Sequence, residues 1–529
     1  MKKLGGIIFF LSATVLCIGI FKFGVHDGIK INIAAALCAI ENRTSNNLIP
    51  SGLPVYNINI KEDKWSKLVD NLPQSGRKKK SISFIHEGKE YKGKLKIRGH
   101  LKLHWGGPKK SIRVYFEDDS PFGSINQMNF INPKTYQLTN DHIATWVGNR
   151  IGTNTLRNEM VFLRINGENY GVMEMVEQPT KRYAINKNKS EEEVILYKGD
   201  YLRDENGHAT STNLWKSKDN WVTKSTKLDD KPTQKLASLI QLLNIDSMDL
   251  EHRFRGIEDH VIIDEYIKYY AALTVINTMH IDQTHNQVIV YDPNQEKYYP
   301  ILWDPTFMWV KEPNHYYNFY DPLSYYILQN PIWREKRDTY IYSYLLEYFD
   351  SGKFMTYHNQ VEDNLWEAVK NDYKKCNPVG SNLNWVYRFS NSMYRHSNRK
   401  IRKTAEEYYQ LLKYHIGNCN IEKLVTQDSI IQITYSTNSP LILDIECEED
   451  VSFFDLEFKN ITGQVIDVNG NFLKIKLYGQ IEHEEGKEGS KYKIFSGFVQ
   501  HRREEQIYIG AKIKNINIYN AITKNKINY

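Results

Sequence analysis

The hydrophobic pattern of the chain changes period twice after a uniformly apolar start. Leu4–Phe21, LGGIIFFLSATVLCIGIF, carries no charge and is just long enough to span a bilayer. After a polar linker at 41–50, alternation begins with VYNINI at Val55–Ile60 and continues through SISFI, KGKLKIR, SIRVYF, MVFLRI and YGVMEMVE to about Tyr197. A period of two predicts half-buried strands, and the Glu87-Gly88 and Asn166-Gly167 pairs predict tight turns between neighbours. One helix is expected among these strands, Asp141–Arg150, with Asn140 or Asp141 as N-cap and Gly152 just past its end. From Lys227 to Leu412 the apolar spacing shifts to three and four, as in QKLASLIQLLN, DEYIKYYAALTVINTMH and VEDNLWEAVKNDYKK, which predicts a helical region. Beyond Asn418 short strand patterns return at roughly ten-residue intervals, as in an all-β sandwich.

This order predicts an α+β protein in four parts: an anchor or signal segment with its linker at 1–50, a β-rich lobe at 51–200, a helical lobe at 201–418 and a β domain at 419–529. Lys2 and Lys3 ahead of the apolar run predict a cytoplasmic N-terminus and export of the rest. No small-residue cleavage site follows the run directly, which favours an uncleaved single-span anchor at the cell envelope; cleavage would give a secreted form. Lysine and arginine (69) exceed aspartate and glutamate (63) by 6, a mild excess that gives no reason to expect a nucleic-acid partner. The basic run Arg77–Lys80 reads as a solvated loop ahead of a strand rather than as a phosphate-binding patch. The cysteines, at 17, 38, 376, 419 and 447, have neither metal-ligand spacing nor a disulfide framework.

Two segments carry candidate chemistry. In KKSIRVYF, alternation puts Lys110 on the face of Ile112, Val114 and Phe116, and Lys109 on the opposite face. A lysine on the core side needs an anion, which could be a nucleotide phosphate or Glu174 or Glu177 of a later strand, unless it sits at the strand mouth and snorkels to water. The second segment is MHIDQTHNQVIVYDPNQEKYYPILWDPTFMW, where a hairpin turning at Asp292-Pro293-Asn294 links Asp282 and Asn286 to Asp304. Mg²⁺ in phosphoryl transfer wants one or two carboxylates and an amide oxygen, and the attacking hydroxyl wants a carboxylate to orient it. Asp282, Asn286 and Asp304 supply that inventory.

With LPVYNINI, the RG…PKKS hairpin of Arg98, Gly99, Pro108, Lys109 and Lys110, INGENYGVMEMVE, LYKGD, HIDQTHN, YYPILWD and PIWREKR in this order, the chain resembles the CotH kinase family, the spore-coat protein H type of atypical protein kinase, over about residues 52–410. The resemblance implies a divergent two-lobed kinase fold that binds ATP with Mg²⁺ or Mn²⁺ and transfers the γ-phosphoryl group to Ser or Thr of a protein. It implies Asp282 as the catalytic aspartate, Asp304 and Asn286 as metal ligands, Lys110 and Arg98 as phosphate contacts, and Glu177 either in the inter-lobe nucleotide pocket or paired with Lys110. Two departures from the family pattern, His100-Leu101-Lys102 after RG and Thr306 where a second aspartate is usual, suit an alternative. That alternative is a non-catalytic pseudokinase serving as a binding or assembly module. A kinase of glycan or lipid is a third reading.

Overall fold

The computed structural model describes residues 49–50, 52–99, 102–133, 135, 137–188, 194–200, 212–223, 231–245, 247–278, 280–305, 320–372, 374–375, 391–452, 456–459, 463–479, 481–484, 497–500 and 502–529. The apolar run Leu4–Phe21, His100, Leu101 and Thr306 lie outside these residues. Among the described residues no helix is long and apolar enough to cross a membrane. The fold is mixed, with ten helices and several sheets among the described residues, and the chain divides into two compact units.

The first unit comprises Met1–His142, Arg157–Tyr183 and Tyr357–Arg402. Its centre is a closed barrel of β1 (Val55–Asn59), β2 (Lys80–His86), β3 (Lys89–Ile97), β4 (Ile112–Phe116), β5 (Gln127–Ile131), β6 (Asn158–Ile165) and β7 (Glu168–Glu177). The wall runs β1-β2-β3-β4-β5-β7-β6, antiparallel except where β6 pairs parallel with β1 and closes it. Alternate residues such as Ile58, Phe84, Leu95, Val114, Phe130 and Met175 fill the interior, which is why the period-two pattern is so regular here. Glu87-Gly88 and Asn166-Gly167 both have positive φ, the conformation that two-residue hairpin turns require.

The sequence pattern predicts one helix in this region, and the structure adds two more. Glu62–Val69 (α1) buries only Leu68 and starts on Glu62 and Asp63, placed well for the helix dipole. The predicted helix is present as α2 (Asn140–Ile151), and α3 (Lys181–Asn188) follows β7. Strand β5 is a second departure: QMNFI is only five residues long, and Met128 and Phe130 face the barrel while Asn129 and Ile131 are buried on its other side.

The second unit comprises Ile143–Leu156, Ala184–Thr356 and Lys403–Tyr529. It holds a small sheet in the order β11-β10-β8-β9, from β8 (Ile195–Gly199), β9 (Val222–Thr223), β10 (Gln287–Asp292) and β11 (Lys297–Pro300). Around it lie α4 (Lys231–Leu243), α5 (Leu250–His260), α6 (Ile263–Ile276), α7 (Pro322–Gln329) and α8 (Pro331–Tyr344). Helix α6 is buried on nearly every side from Tyr266 to Ile276, which makes it a rigid base for the loop that follows. Helix α9 (Lys353–Asn371) belongs to the first unit, and the long α10 (Asn391–Gly417) leads from the first unit into the second.

The C-terminal strands are β12 (Cys419–Gln427), β13 (Ile430–Thr437), β14 (Leu441–Cys447), β15 (Glu457–Lys459), β16 (Gly463–Asn469), β17 (Phe472–Leu477), β18 (Ile481–Glu484), β19 (Gly497–Gln500), β20 (Arg503–Tyr508) and β21 (Ile513–Asn520). Two four-stranded sheets, β12-β13-β20-β15 and β16-β17-β14-β21, contribute to one apolar cluster that includes Ile433, Leu443, Leu473 and Ile507. QIYIGAKI, which reads as a single strand, is broken at Gly510 into the end of β20 and the start of β21. Buried Arg334 of α8 donates to Gly479 O, and Lys476 of β17 pairs with Glu335 at 2.8 Å, so these sheets are tied to the helices of their own unit.

Candidate active site

The acidic candidates sit where α6 ends. Asn277 takes a left-handed conformation and its N–H bonds Leu273 O at 2.9 Å, so the chain leaves the helix abruptly into the loop that carries His280 to Asn286. In that loop Asp282 Oδ1 accepts from Thr284 N (2.6 Å), Thr284 Oγ1 (2.6 Å), His285 N (3.2 Å) and His285 Nδ1 (2.9 Å). Burial pushes this carboxyl up, but the hydrogen bonds from His285 and Thr284 outweigh it and hold Asp282 below its ordinary value. The side chain keeps 20% of its surface in contact with solvent, so an ionised, oriented carboxylate can still be reached.

The loop is fastened from beneath. Gln287 Nε2 donates to Asp282 O at 3.0 Å and to Asp321 Oδ2 at 3.1 Å, while Gln287 Oε1 accepts from Trp215 Nε1 at 3.0 Å. Asp321 caps α7 through Ser324 N (2.8 Å), accepts Tyr270 Oη (2.8 Å) and is 3% exposed. Burial raises its carboxyl to about 6. None of this support is visible in the sequence beyond the capping pattern Asp321-Pro322-Leu323-Ser324.

The two candidate metal ligands meet at His280. Its Nδ1 lies 2.8 Å from Asp304 O, and a carbonyl can only accept, so that nitrogen carries the proton. Asn286 Nδ2 donates to His280 O at 2.9 Å and lies 3.1 Å from the same ring nitrogen. Both ends of the β10–β11 hairpin are thereby drawn to one point. Asn286 (φ 58°) and Asp304 (φ 51°) both hold left-handed backbone, which costs free energy for residues with a Cβ and concentrates at functional positions. With its amide N–H engaged, Asn286 has Oδ1 to offer a ligand; Asp304 meets His280 through its backbone O, and its carboxylate is a hard-oxygen donor of the kind Mg²⁺ or Mn²⁺ takes. Among the described residues no three His, Cys, Asp or Glu side chains cluster as a metal site, so an ion here would draw further ligands from water and phosphate oxygens.

The remaining candidates, Lys110, Arg98 and Glu177, belong to the first unit. The β3–β4 connection folds around His104, whose Nδ1 lies 3.2 Å from Ser111 Oγ and whose O accepts Ser111 N at 2.7 Å. Gly99 (φ 95°) packs so tightly on the His104 ring that a Cβ would overlap it. Alternation puts Lys110 inward and Lys109 outward; the structure reverses this. Strand β4 begins only at Ile112, so the period-two rule does not extend back to the lysines. Lys109 is the buried one, at 3% exposure, donating to Asp372 Oδ2 (2.6 Å) and Val172 O (2.7 Å). Lys110 is half-buried, donates to Gly107 O and is held below its ordinary value by burial and by the charge of Lys374.

Arg98 is half-buried, and its N donates to Ser111 O at 2.9 Å. Glu177 pairs across the sheet with Met128, on the inward face at the end of the barrel. Burial raises it to about 7, and the cation acting on it is Arg157. The Glu177–Lys110 pair is not among the described contacts.

Comparison with known families matches residues 95–412 to the CotH kinase protein family, more than half of the chain. The chain belongs to this family. CotH kinase membership makes it a kinase-like protein at the family level, and the matched region runs from β3 through the Asp282 loop to α10, leaving out the C-terminal sheets. No curated protein matches the chain. Within the CotH region, sequence reasoning missed Asp372, Asp321 and Gln287, since all three act through contacts distant in sequence.

Proposed function

We propose that the chain is an ATP- and Mg²⁺-dependent (or Mn²⁺-dependent) protein kinase of the CotH type, transferring the γ-phosphoryl group to Ser or Thr of a protein. The convergence of Asn286 and Asp304 on His280, in the loop that also carries the oriented Asp282 carboxylate, is the observation that carries this reading. On it the barrel unit and the helical unit are the lobes of a divergent two-lobed kinase, and the C-terminal sheets are a sandwich-like appendage. The N-terminal apolar run anchors the protein at the cell envelope, and its partners are a protein substrate and the membrane.

Asp282 orients the substrate hydroxyl and takes its proton as the oxygen bonds to the γ-phosphorus and ADP leaves. A bound Mg²⁺ supplies charge neutralisation on the phosphate oxygens, and Asp304 and Asn286 hold it. Lys110 is half-buried and is lowered first by desolvation and then by the like charge of Lys374. A partly desolvated ammonium beside a like charge gains from an anion, which supports Lys110 as a phosphate contact. Arg98 is a second phosphate contact, and Glu177 a nucleotide contact.

The test is the full chain incubated with labelled ATP and Mg²⁺ or Mn²⁺, beside Asp304→Ala and Asp282→Ala. Incorporation should fall on the order of 100-fold or more in each, because positioning and charge neutralisation supply most of phosphoryl-transfer catalysis. ATP binding without transfer would support the pseudokinase reading that Thr306 suits. Absence of both would overturn the nucleotide assignment.

A further inference from the structure

The basic run Arg77–Lys80 is not an isolated loop feature, because the barrel places its lysines beside those of the next strand. On β3, Tyr91 and Leu95 face inward, so Lys92, Lys94 and Lys96 form one outward row, with Glu90 at its end. Lys94 stands opposite Ser81 of β2 and Tyr115 of β4, Lys92 opposite Ser83, and Lys96 opposite Arg113. Lys79 reaches over the Tyr115 ring at 3.8 Å and Lys96 at 5.7 Å. Lys79, Lys92 and Lys94 are exposed. Four cations, Lys79, Lys92, Lys94 and Lys96, thus share one wall and have no described ion pair with a carboxylate. Burial raises the Tyr115 phenol, yet the hydrogen bond from Lys96 and the charges of Arg113, Lys96 and Lys79 bring it below its ordinary value.

We propose that this wall is a docking strip for an extended acidic peptide of a protein partner, its carboxylates at alternate positions meeting Lys92, Lys94 and Lys96. The strip stands independently of the assignment of Asp282 and Asp304. Alternate residues of β3 recur every ~6.6–6.8 Å, the same repeat as alternate side chains of any extended peptide, so three charge pairs can form in register without distortion. Exposed Ser81 flanks Lys94 with a small side chain that leaves room for a backbone. A bilayer fits less well, because no large hydrophobic side chain is exposed on β2, β3 or β4 to enter the headgroup layer.

The test is fluorescence anisotropy with the full chain and a labelled twelve-residue peptide of alternating Glu and Ser, at low salt and again at high salt. Lys92→Gln/Lys94→Gln should weaken binding roughly tenfold at low salt, and the difference should shrink at high salt as screening removes it. Lys512→Gln/Lys514→Gln, which changes net charge equally on the C-terminal sheets, should leave binding within about twofold. A peptide with the same residues in two blocks should bind more weakly than the alternating one. Equal binding of both peptides, or an unchanged affinity in Lys92→Gln/Lys94→Gln, overturns the strip. So does tighter, variant-sensitive binding of phosphatidylglycerol vesicles or of a single-stranded oligonucleotide.

Discussion

Two aspartates, one in each unit, use the same side chain to opposite ends. Asp372, 2% exposed, is consumed by architecture: Oδ2 accepts Lys109 Nζ at 2.6 Å and Val172 N at 2.9 Å, and Oδ1 accepts Lys374 N at 3.1 Å. Its carboxylate occupies the space a side chain at Gly171 would fill, in the bulged stretch of β7, where φ is 114°. Asp282 receives four described hydrogen bonds, one more than Asp372, but all four go to one oxygen, and a fifth of its side chain stays accessible. Saturation of both oxygens marks a structural acid. Saturation of one oxygen orients the carboxylate and leaves it able to act.

The largest loss is expected at Asp372. Removing its carboxylate strands Lys109 in the barrel wall, and Asp372→Ala should cost about 3–5 kcal/mol in urea unfolding. A loss under about 1 kcal/mol would show that the pair is solvated. Gly171→Ala attacks the same contact from the other side, adding a Cβ at positive φ against Asp372, and should cost about 1–3 kcal/mol by the same measurement.

A smaller, pH-dependent effect belongs to Glu177. Burial lifts its folded value from 4.5 to about 7, so the folded state binds the extra proton across that window. Stability should therefore fall as pH rises from about 4.5 to 7, by at most about 1.4 kcal/mol per pH unit, and level off above. Urea midpoints of Glu177→Gln should lose this slope; the same slope in both proteins would assign it elsewhere.

The barrel was legible wherever burial is one-sided, since Val55–Ile60, Ser81–Ile85 and Ser111–Phe116 alternate cleanly. Strand β5 was not, because its five residues QMNFI are too few for their alternation to stand out. The order Asp282, Asn286, hairpin, Asp304 could be read because its parts are near in sequence. The contacts that fix it could not: Gln287 bridges to Asp321, 34 residues on, and the Lys109 partner lies 263 residues away. Lys109 itself was misplaced because alternation says nothing about residues ahead of the first paired position.

On the proposed function the Asp282 carboxylate serves chemistry and not architecture, and Asp282→Asn isolates that role. An asparagine Oδ1 can still accept the hydrogen bonds from Thr284 and His285 N, while the charge and the proton-accepting oxygen are gone. Phosphate incorporation from labelled ATP and the urea midpoint, measured on one preparation of this variant, should show incorporation reduced on the order of 100-fold or more with a midpoint close to the parent. Undiminished incorporation, or a midpoint that falls as far as that of Asp372→Ala, would contradict it.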